Sequence, residues 1–414
     1  MDLRQRLERL GMHKVVRHLV VPPAQPQRRR GIEHFVPGSV VETGYGCFYR
    51  ATKRHELTHQ QGNWPLRALL ERSATQITPL ARDDSLAGLD FRRAVFLDTE
   101  TTGLAGGTGT YAFLVGVGYF VEDGFQLDQF FMRDYDEELA MLDELGRFLP
   151  GFSLLVTFNG RTFDWPLLET RFAMARRPAP LRGVPHLDLL HVARRLWRAR
   201  LTSCSLSSLE QHILGVRRTG EDVPGWLVPQ IYFDYLRSGD AGPLLQVFYH
   251  NAQDILSLVA LAAYMAQIGD DPFHGSLCHG ADFYSLARLF ESAGDSEVAV
   301  SAYEHALRSP MSPEIRRAVI TRLATLYKRA GQHAAAVELW QTLLGQGDIV
   351  PYVEIAKYHE HISRDYPAAE AMVREAIAMA ERIPKGSLQG HVQLGELKHR
   401  LERVRQKKEK RGLG

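Results

Sequence analysis

From residue 281 onward the chain repeats itself, and that repetition fixes the architecture of its last part. Ala287, Phe290, Ala299, Tyr303 and Ala306 share their internal spacing with Ala324, Tyr327, Ala336, Trp340 and Leu343. A third copy runs Ala356, His359, Ala369, Val373 and Ala376, with one extra residue near Tyr366. Small residues at two fixed points, with a bulky one between them, let paired helices pack closely. The first two copies are 37 residues apart (287 to 324) and the next two 32 (324 to 356), so the loops vary. About three such units are needed for a stable stack, because one unit cannot bury its apolar face alone. Leu394, Leu397, Leu401 and Val404, at heptad spacing, predict a last helix that caps the stack. On this pattern Tyr303 and Trp340 are packing residues, the repeats occupy 281–383, and a capping helix with a basic tail occupies 384–414.

The preceding chain reads differently. Residues 89–270 alternate strand-like and helix-like patterns, as an α/β domain does. Residues 271–280, DPFHGSLCHG, read as a linker. Residues 1–88 are mixed: a short amphipathic helix, a Pro-rich VVPPAQPQRRR stretch, then no clear pattern. With 414 residues, two or three domains are expected, and 45% apolar with 24% charged residues suits a soluble globular protein. Cys47, Cys204 and Cys278 form no CxxC, which argues against a disulfide framework or zinc knuckle and suits a reducing compartment. The charged start, MDLRQRLERLG, has no apolar signal core, and the longest apolar run, Leu258 to Ile268, is too short to span a bilayer. A cytoplasmic protein without a membrane partner is the expectation. Net charge is only +2, but Arg28 to Arg30, Arg176 with Arg177, Arg194 with Arg195 and Arg198, and Lys407 to Arg411 form local basic clusters. Each is either solvated surface or charge available to phosphates.

Three segments carry acids where apolar residues dominate. VFLDTETTGL, residues 95–104, is an apolar strand ending in acids; side chains alternate along a strand, so Asp98 and Glu100 project together. Two such carboxylates make an oxygen-rich site for hard divalent cations. In LLVTFNGRTFDWPLLETRF, residues 154–172, a buried strand leads into an Asn159-Gly160 turn, and Asp164 stands where a helix begins, with Pro166 in its first turn. Alone, Asp164 reads better as a plain helix cap. In PLLQVFYHNAQDILSLVALAAYM, residues 243–265, Asp254 interrupts a dense apolar helix. A buried unpaired acid is costly, and a metal ion, a salt bridge to an arginine or an exposed face would each relieve it.

Together these segments resemble the DEDD superfamily of 3′ to 5′ exonucleases over roughly residues 89–270. DTETTGL is similar to its first motif, TFNGRTFD to its second, and the HNAQD helix to its third. HLDLLHVARRLW and CSLSSLEQHILG look like the linking helices, and DVPGWLVPQIYFDYLRSGD before HNAQDILSLVAL most resembles the YprB-type ribonuclease H-like branch. The C-terminal units resemble tetratricopeptide repeats, whose period is ~34 residues. The resemblance implies an α/β ribonuclease H-like fold, a mixed sheet with flanking helices, followed by an all-α repeat domain. It implies two-metal hydrolysis of single-stranded nucleic acid from its 3′ end, with two Mg²⁺ or Mn²⁺ held by Asp98, Glu100, Asp164 and Asp254. Asp98 would bridge the ions, and Thr99, Leu104, Asn159 and Tyr249 would line the substrate. The repeats would offer a surface to a protein partner. The competing expectations are a catalytically weak nucleic-acid-binding scaffold and an endonuclease of the same fold.

The family places either a histidine five residues before the last aspartate or a tyrosine four before it; here Tyr249 and His250 hold the exchanged positions. On a helix the i,i+4 pair His250 and Asp254 shares a face. An imidazole also titrates near neutrality and a phenol near 10. His250 is therefore expected to orient the attacking water, with Tyr249 as the alternative. Other signals are weaker. His55-Glu56-Leu57-Thr58-His59 matches HExxH, but Gln61-Gly62-Asn63-Trp64-Pro65 breaks any helix behind it. GLAGGTGT, residues 103–110, lacks GK[ST] and precedes a strand, so it reads as a turn rather than a phosphate loop. Asp188 reads as a helix cap, with a further acid near the site as the alternative.

Overall fold

The computed structural model describes residues 30–103, 107–218, 222–273, 275, 277–382 and 388–411. The expected N-terminal helix and Pro-rich stretch lie outside them. The chain forms two compact units, one of residues 30–71, 88–189 and 209–263, the other of residues 72–87, 190–208 and 264 onward.

The first unit is built on a mixed seven-stranded sheet. Its strands are β1 (Gly38–Thr43), β2 (Gly46–Glu56), β5 (Ala94–Thr101), β6 (Ala112–Val121), β7 (Gly124–Phe131), β8 (Leu154–Thr157) and β9 (His186–Asp188). A separate small ladder pairs β3 (Gln60–Gln61) with β4 (Trp64–Pro65). The order is β1-β2-β7-β6-β5-β8-β9, antiparallel through β5 and parallel beyond it. The sheet therefore begins well before residue 89, where the sequence pattern placed its start. β1 is exposed along most of its length and β2 carries three consecutive exposed polar residues, Thr52 to Arg54, so their pattern reads as irregular surface chain. By contrast β5 lies centrally, between β6 and β8, and is buried along nearly its whole length, as its unbroken apolar run requires.

Four helices flank the sheet within this unit: α1 (Glu138–Phe148), α2 (Asp164–Met174), α4 (Val228–Ser238) and the start of α5 (Leu244–Asp270). Between them in sequence runs α3 (Leu189–Trp197). Tyr232 on α4 stacks on Phe113 at 3.9 Å and donates its hydroxyl to the Met132 carbonyl. Taken whole, α5 is long and apolar enough to cross a membrane, unlike the shorter run read from sequence, yet 67% of its apolar window is buried within the fold. Two glycines let it approach the sheet. A Cβ on Gly116 would stand 2.2 Å from Asn251 Oδ1, and one on Gly118 would stand 2.5 Å from Ile255 Cγ2. Gly116 and Gly118 share one face of β6, and Asn251 and Ile255 are one turn apart on α5, so the Gly-x-Gly is the seat of the helix.

The second unit is helical. After α3 come α6 (Gly280–Ala293), α7 (Ser296–Arg308), α8 (Pro313–Arg329), α9 (His333–Gln341), α10 (Val350–His361), α11 (Tyr366–Ala380) and α12 (Leu388–Glu409). α6–α7, α8–α9 and α10–α11 are the helix pairs that the repeated spacing predicts. Their small residues, Ala287, Ala299, Ala306, Ala324, Ala336, Ala356, Ala369 and Ala376, are all buried, as are Tyr303 and Trp340. The turns within the first two pairs use left-handed Gly294 and Gly331; the third uses Arg364 at φ 56°. α12 closes the stack and is tied down by charge. Glu360, fully buried, accepts from Arg400 at 2.8 Å, Arg403 at 2.7 Å and Lys407 at 2.8 Å. Residues 190–208 group with these helices rather than with the sheet, a departure from the pattern-based boundary at 270.

The glycine seat predicts a large effect from a small change. Gly118→Ala should cost about 1–3 kcal/mol by overpacking. Gly109→Ala, where a Cβ meets nothing within 4 Å, should cost under about 0.5 kcal/mol. Urea unfolding of the two variants measures the difference.

Candidate active site

Three elements of the first unit bring the predicted acids together. Asp98 and Glu100 stand at the end of β5, Asp164 is the first residue of α2, and Asp254 lies on α5. Glu100 and Asp164 are only 7% and 5% exposed. Burial comes first in raising the Asp98 carboxyl well above the usual range, followed by repulsion from Asp254, Asp164 and Glu100; the Asn251 hydrogen bond opposes it. Glu100 is pushed up to about 8 by burial and by Asp254 and Asp164, against the pull of His250 and Arg218. Asp164 is raised to about 6 by burial, although its bonds to Thr99 pull it down. Asp98, Glu100 and Asp164 thus share one electrostatic environment that disfavours their joint ionisation.

Each acid is positioned by neighbours. Asp164 Oδ1 accepts from the Thr99 amide at 3.1 Å and its hydroxyl at 2.5 Å. Thr99 is thus committed to Asp164, whereas the resemblance implied a contact with substrate. Asp98 Oδ2 accepts from Asn251 Nδ2 at 2.9 Å, and Asn251 Oδ1 accepts from Gln129 Nε2 at 2.9 Å. Asn251 is fully buried and occupies the space that Gly116 leaves. The Asn159 turn is held by Asp188, which accepts from the Asn159 amide at 2.8 Å and the Arg161 amide at 3.1 Å. Asn159 itself is exposed, has φ 67°, and its Oδ1 accepts from Thr162 at 2.9 Å. Its visible work is therefore to shape the turn before Asp164. Leu104 lies outside the described residues.

Asp254 is met by an arginine, one of the three sequence alternatives. The Arg218 guanidinium bonds Asp254 Oδ1, holds both oxygens of Glu210 at 2.7 Å, and reaches Asp222 Oδ2 at 3.2 Å. Glu210 also accepts from Ser257 at 2.5 Å, itself bonded by Gln61 at 2.8 Å. His250 Nε2 lies 3.7 Å from Asp254 Oδ2, and its Nδ1 lies 2.7 Å from Asp222 Oδ1. Burial works against the imidazolium, but Asp254, Glu100 and the Asp222 bond outweigh it and raise the His250 pKa. Tyr249 is half-buried on the same helix.

Arg218, Glu210, Asp222, Asn251 and Gln129 were not singled out from sequence. A glycine pair inside an apolar strand is the one signal that pointed to a close approach there. The HExxH residues do not form a zinc site. His55 lies on β2, its ring 4.6 Å from that of His59, and burial lowers its pKa to about 4. Among the described residues no three histidine, cysteine, aspartate or glutamate side chains form a ready-made ligand sphere. The donor chemistry of the acid cluster nonetheless fits hard divalent cations: carboxylate oxygens only, buried, with more negative charge than the fold itself relieves.

Raised carboxyl pKa values make a stability statement. Between about 4.5 and about 8 the folded Glu100 holds a proton that the unfolded chain has released, so stability falls as pH rises through that window. In chelator, Glu100→Gln should raise the melting temperature by roughly 5 °C at pH about 9 and leave it unchanged at pH about 4.5. Differential scanning calorimetry at the two pH values checks this.

Comparison with known proteins agrees with this geometry. Residues 95–266 match the family described as the RNase_H superfamily. The chain is 31% identical over 363 residues to the uncharacterized protein YprB of Bacillus subtilis (strain 168), covering 86% of each chain. Among solved structures, the crystal structure of the APC/C hetero-tetramer Cut9-Hcn1 shows 14% identity and a TM-score of 0.24, over 64% of this chain and 56% of that one, too low to bear on the fold. The chain belongs to the YprB family, and its residues 95–266 form an RNase H superfamily domain, which makes a nuclease-type hydrolase the general class of its chemistry.

Proposed function

We propose that the protein is a divalent-metal-dependent 3′ to 5′ exonuclease acting on single-stranded nucleic acid. The observation that carries the reading is the convergence of Asp98, Glu100, Asp164 and Asp254 from three elements into one buried, mutually repelling cluster. These four carboxylates would hold two Mg²⁺ or Mn²⁺ ions, which when bound supply an activated water and neutralise charge on the phosphate. Thr99 and Asn251 fix the Asp164 and Asp98 carboxylates by hydrogen bonds. His250 Nδ1 lies between Asp222 Oδ1 and Arg218 Nη1, at 2.7 and 3.1 Å, and the Asp222 contact leaves Nε2 turned toward Asp254. A base oriented by a third group is the arrangement that proton abstraction needs. His250 in its neutral form accepts the proton of the attacking water at Nε2. Tyr249, by the family resemblance, stands against the terminal nucleotide.

A second reading, a nucleic-acid-binding scaffold with weak or no catalysis, is favoured by one observation: Arg218 already engages Asp254. In the enzyme, Arg218 yields one Asp254 oxygen; in the scaffold it replaces the cation for good.

Incubation with Mn²⁺ and 5′-labelled single-stranded DNA and RNA separates these readings. The exonuclease gives a ladder that shortens from the 3′ end and leaves circular substrate whole, whereas an endonuclease of the same fold cuts the circle. Asp98→Ala should abolish cleavage with the fold intact. His250→Ala should slow it ~10²–10⁴-fold, the range for losing a general acid–base group, and Tyr249→Phe much less. No cleavage by the wild type, with cleavage gained in Arg218→Ala, would favour the scaffold.

A further inference from the structure

The second unit contains a cleft of about 520 Å³ lined by five arginines: Arg82, Arg194, Arg195, Arg198 and Arg288. Ser285 and Leu289, both buried, form part of its floor, and no carboxylate is among its lining residues. Arg194 and Arg198 are one turn apart on α3 and just beyond its end, exposed on one face, and Arg288 is exposed on α6. Guanidiniums gathered in this way repel one another, and an anion relieves that repulsion.

The frame that holds them is firm. Arg195 donates to the carbonyls of Leu80 and Ala81, at 3.1 and 2.7 Å, at the end of the short helix Thr78–Ala81. Arg82, which follows, takes the left-handed conformation at φ 56° and bonds Ser292 on α6. Arg200 pairs with the buried Asp282 at 2.9 Å, tying the chain after α3 to α6. Of the acids on the elements around it, Asp282 pairs with Arg200, Glu291 with Arg322 and Tyr303, and Asp83 accepts from the Ser85 amide and hydroxyl. The lining of the cleft itself is thus positive.

We infer that this cleft binds the sugar-phosphate backbone of a single-stranded nucleic acid, as an anchoring site separate from the acid cluster. Planar guanidiniums bind phosphate oxygens through paired N–H groups, and five of them around one cleft can engage more than one phosphate, which suits a chain of phosphates better than one anion. The inference rests on nucleic acid being the substrate class proposed above, but its test requires no cleavage.

The full-length protein is titrated, in EDTA, into a 5′-fluorescein-labelled single strand of about 20 nucleotides, and anisotropy is read over a range of salt. Combined replacement of Arg194, Arg198 and Arg288 by alanine should weaken binding roughly tenfold or more at about 0.1 M salt, and should reduce the slope of log K against log salt by about 2. The corresponding triple lysine variant should keep most of that slope. Unchanged affinity and slope in a triple alanine variant that melts at the wild-type temperature would overturn the inference. So would competition by inorganic pyrophosphate as effective, per molecule, as by the unlabelled strand, which would mark a small-anion site instead.

Discussion

Burying several carboxylates side by side is among the most unfavourable things a fold can do, and this one does it at the end of its central strand. Burial raises Asp98, Glu100 and Asp164 together, and repulsion within the cluster adds to it at Asp98 and Glu100. The cost is sustained because the rest of the unit over-determines the acids' positions. β5 is locked between β6 and β8, α2 begins where Thr99 can hold Asp164, and α5 is seated on two glycines. Strain of this kind at a site is the usual signature of function rather than of packing.

The positive side of the site is equally organised. Arg218 gathers Glu210, Asp222 and Asp254, while His250 lies between Asp222 and Asp254. Removing any one of these groups leaves a charge in poor solvent, so the network is expected to act as a unit. On the proposed function, it would also hold Asp254 in place until a cation binds.

Much of this was legible in the sequence, for identifiable reasons. Alternation along a strand placed Asp98 and Glu100 together, helix periodicity placed His250 beside Asp254, and the buried alanines of the helix pairs recurred at readable spacings. What stayed hidden was set by tertiary pairing. Arg218 meets Asp254 across 36 residues of chain, and no local pattern encodes that choice. β1 and β2 read as irregular because runs of exposed residues interrupt their strand alternation. Asn251 sat in view beside Asp254, but its role depends on Gly116 of another strand.

The central claim is that the buried acids are a divalent-cation site. Equilibrium Mn²⁺ binding, followed by electron paramagnetic resonance of the free ion, tests it most directly. The account predicts two ions per chain, binding more tightly as pH rises from about 6 to about 8, when Asp164 and Glu100 lose their protons. It also predicts that Asp98→Ala abolishes the saturable binding. No saturable binding by the wild type, or the same binding in Asp98→Ala, would contradict it.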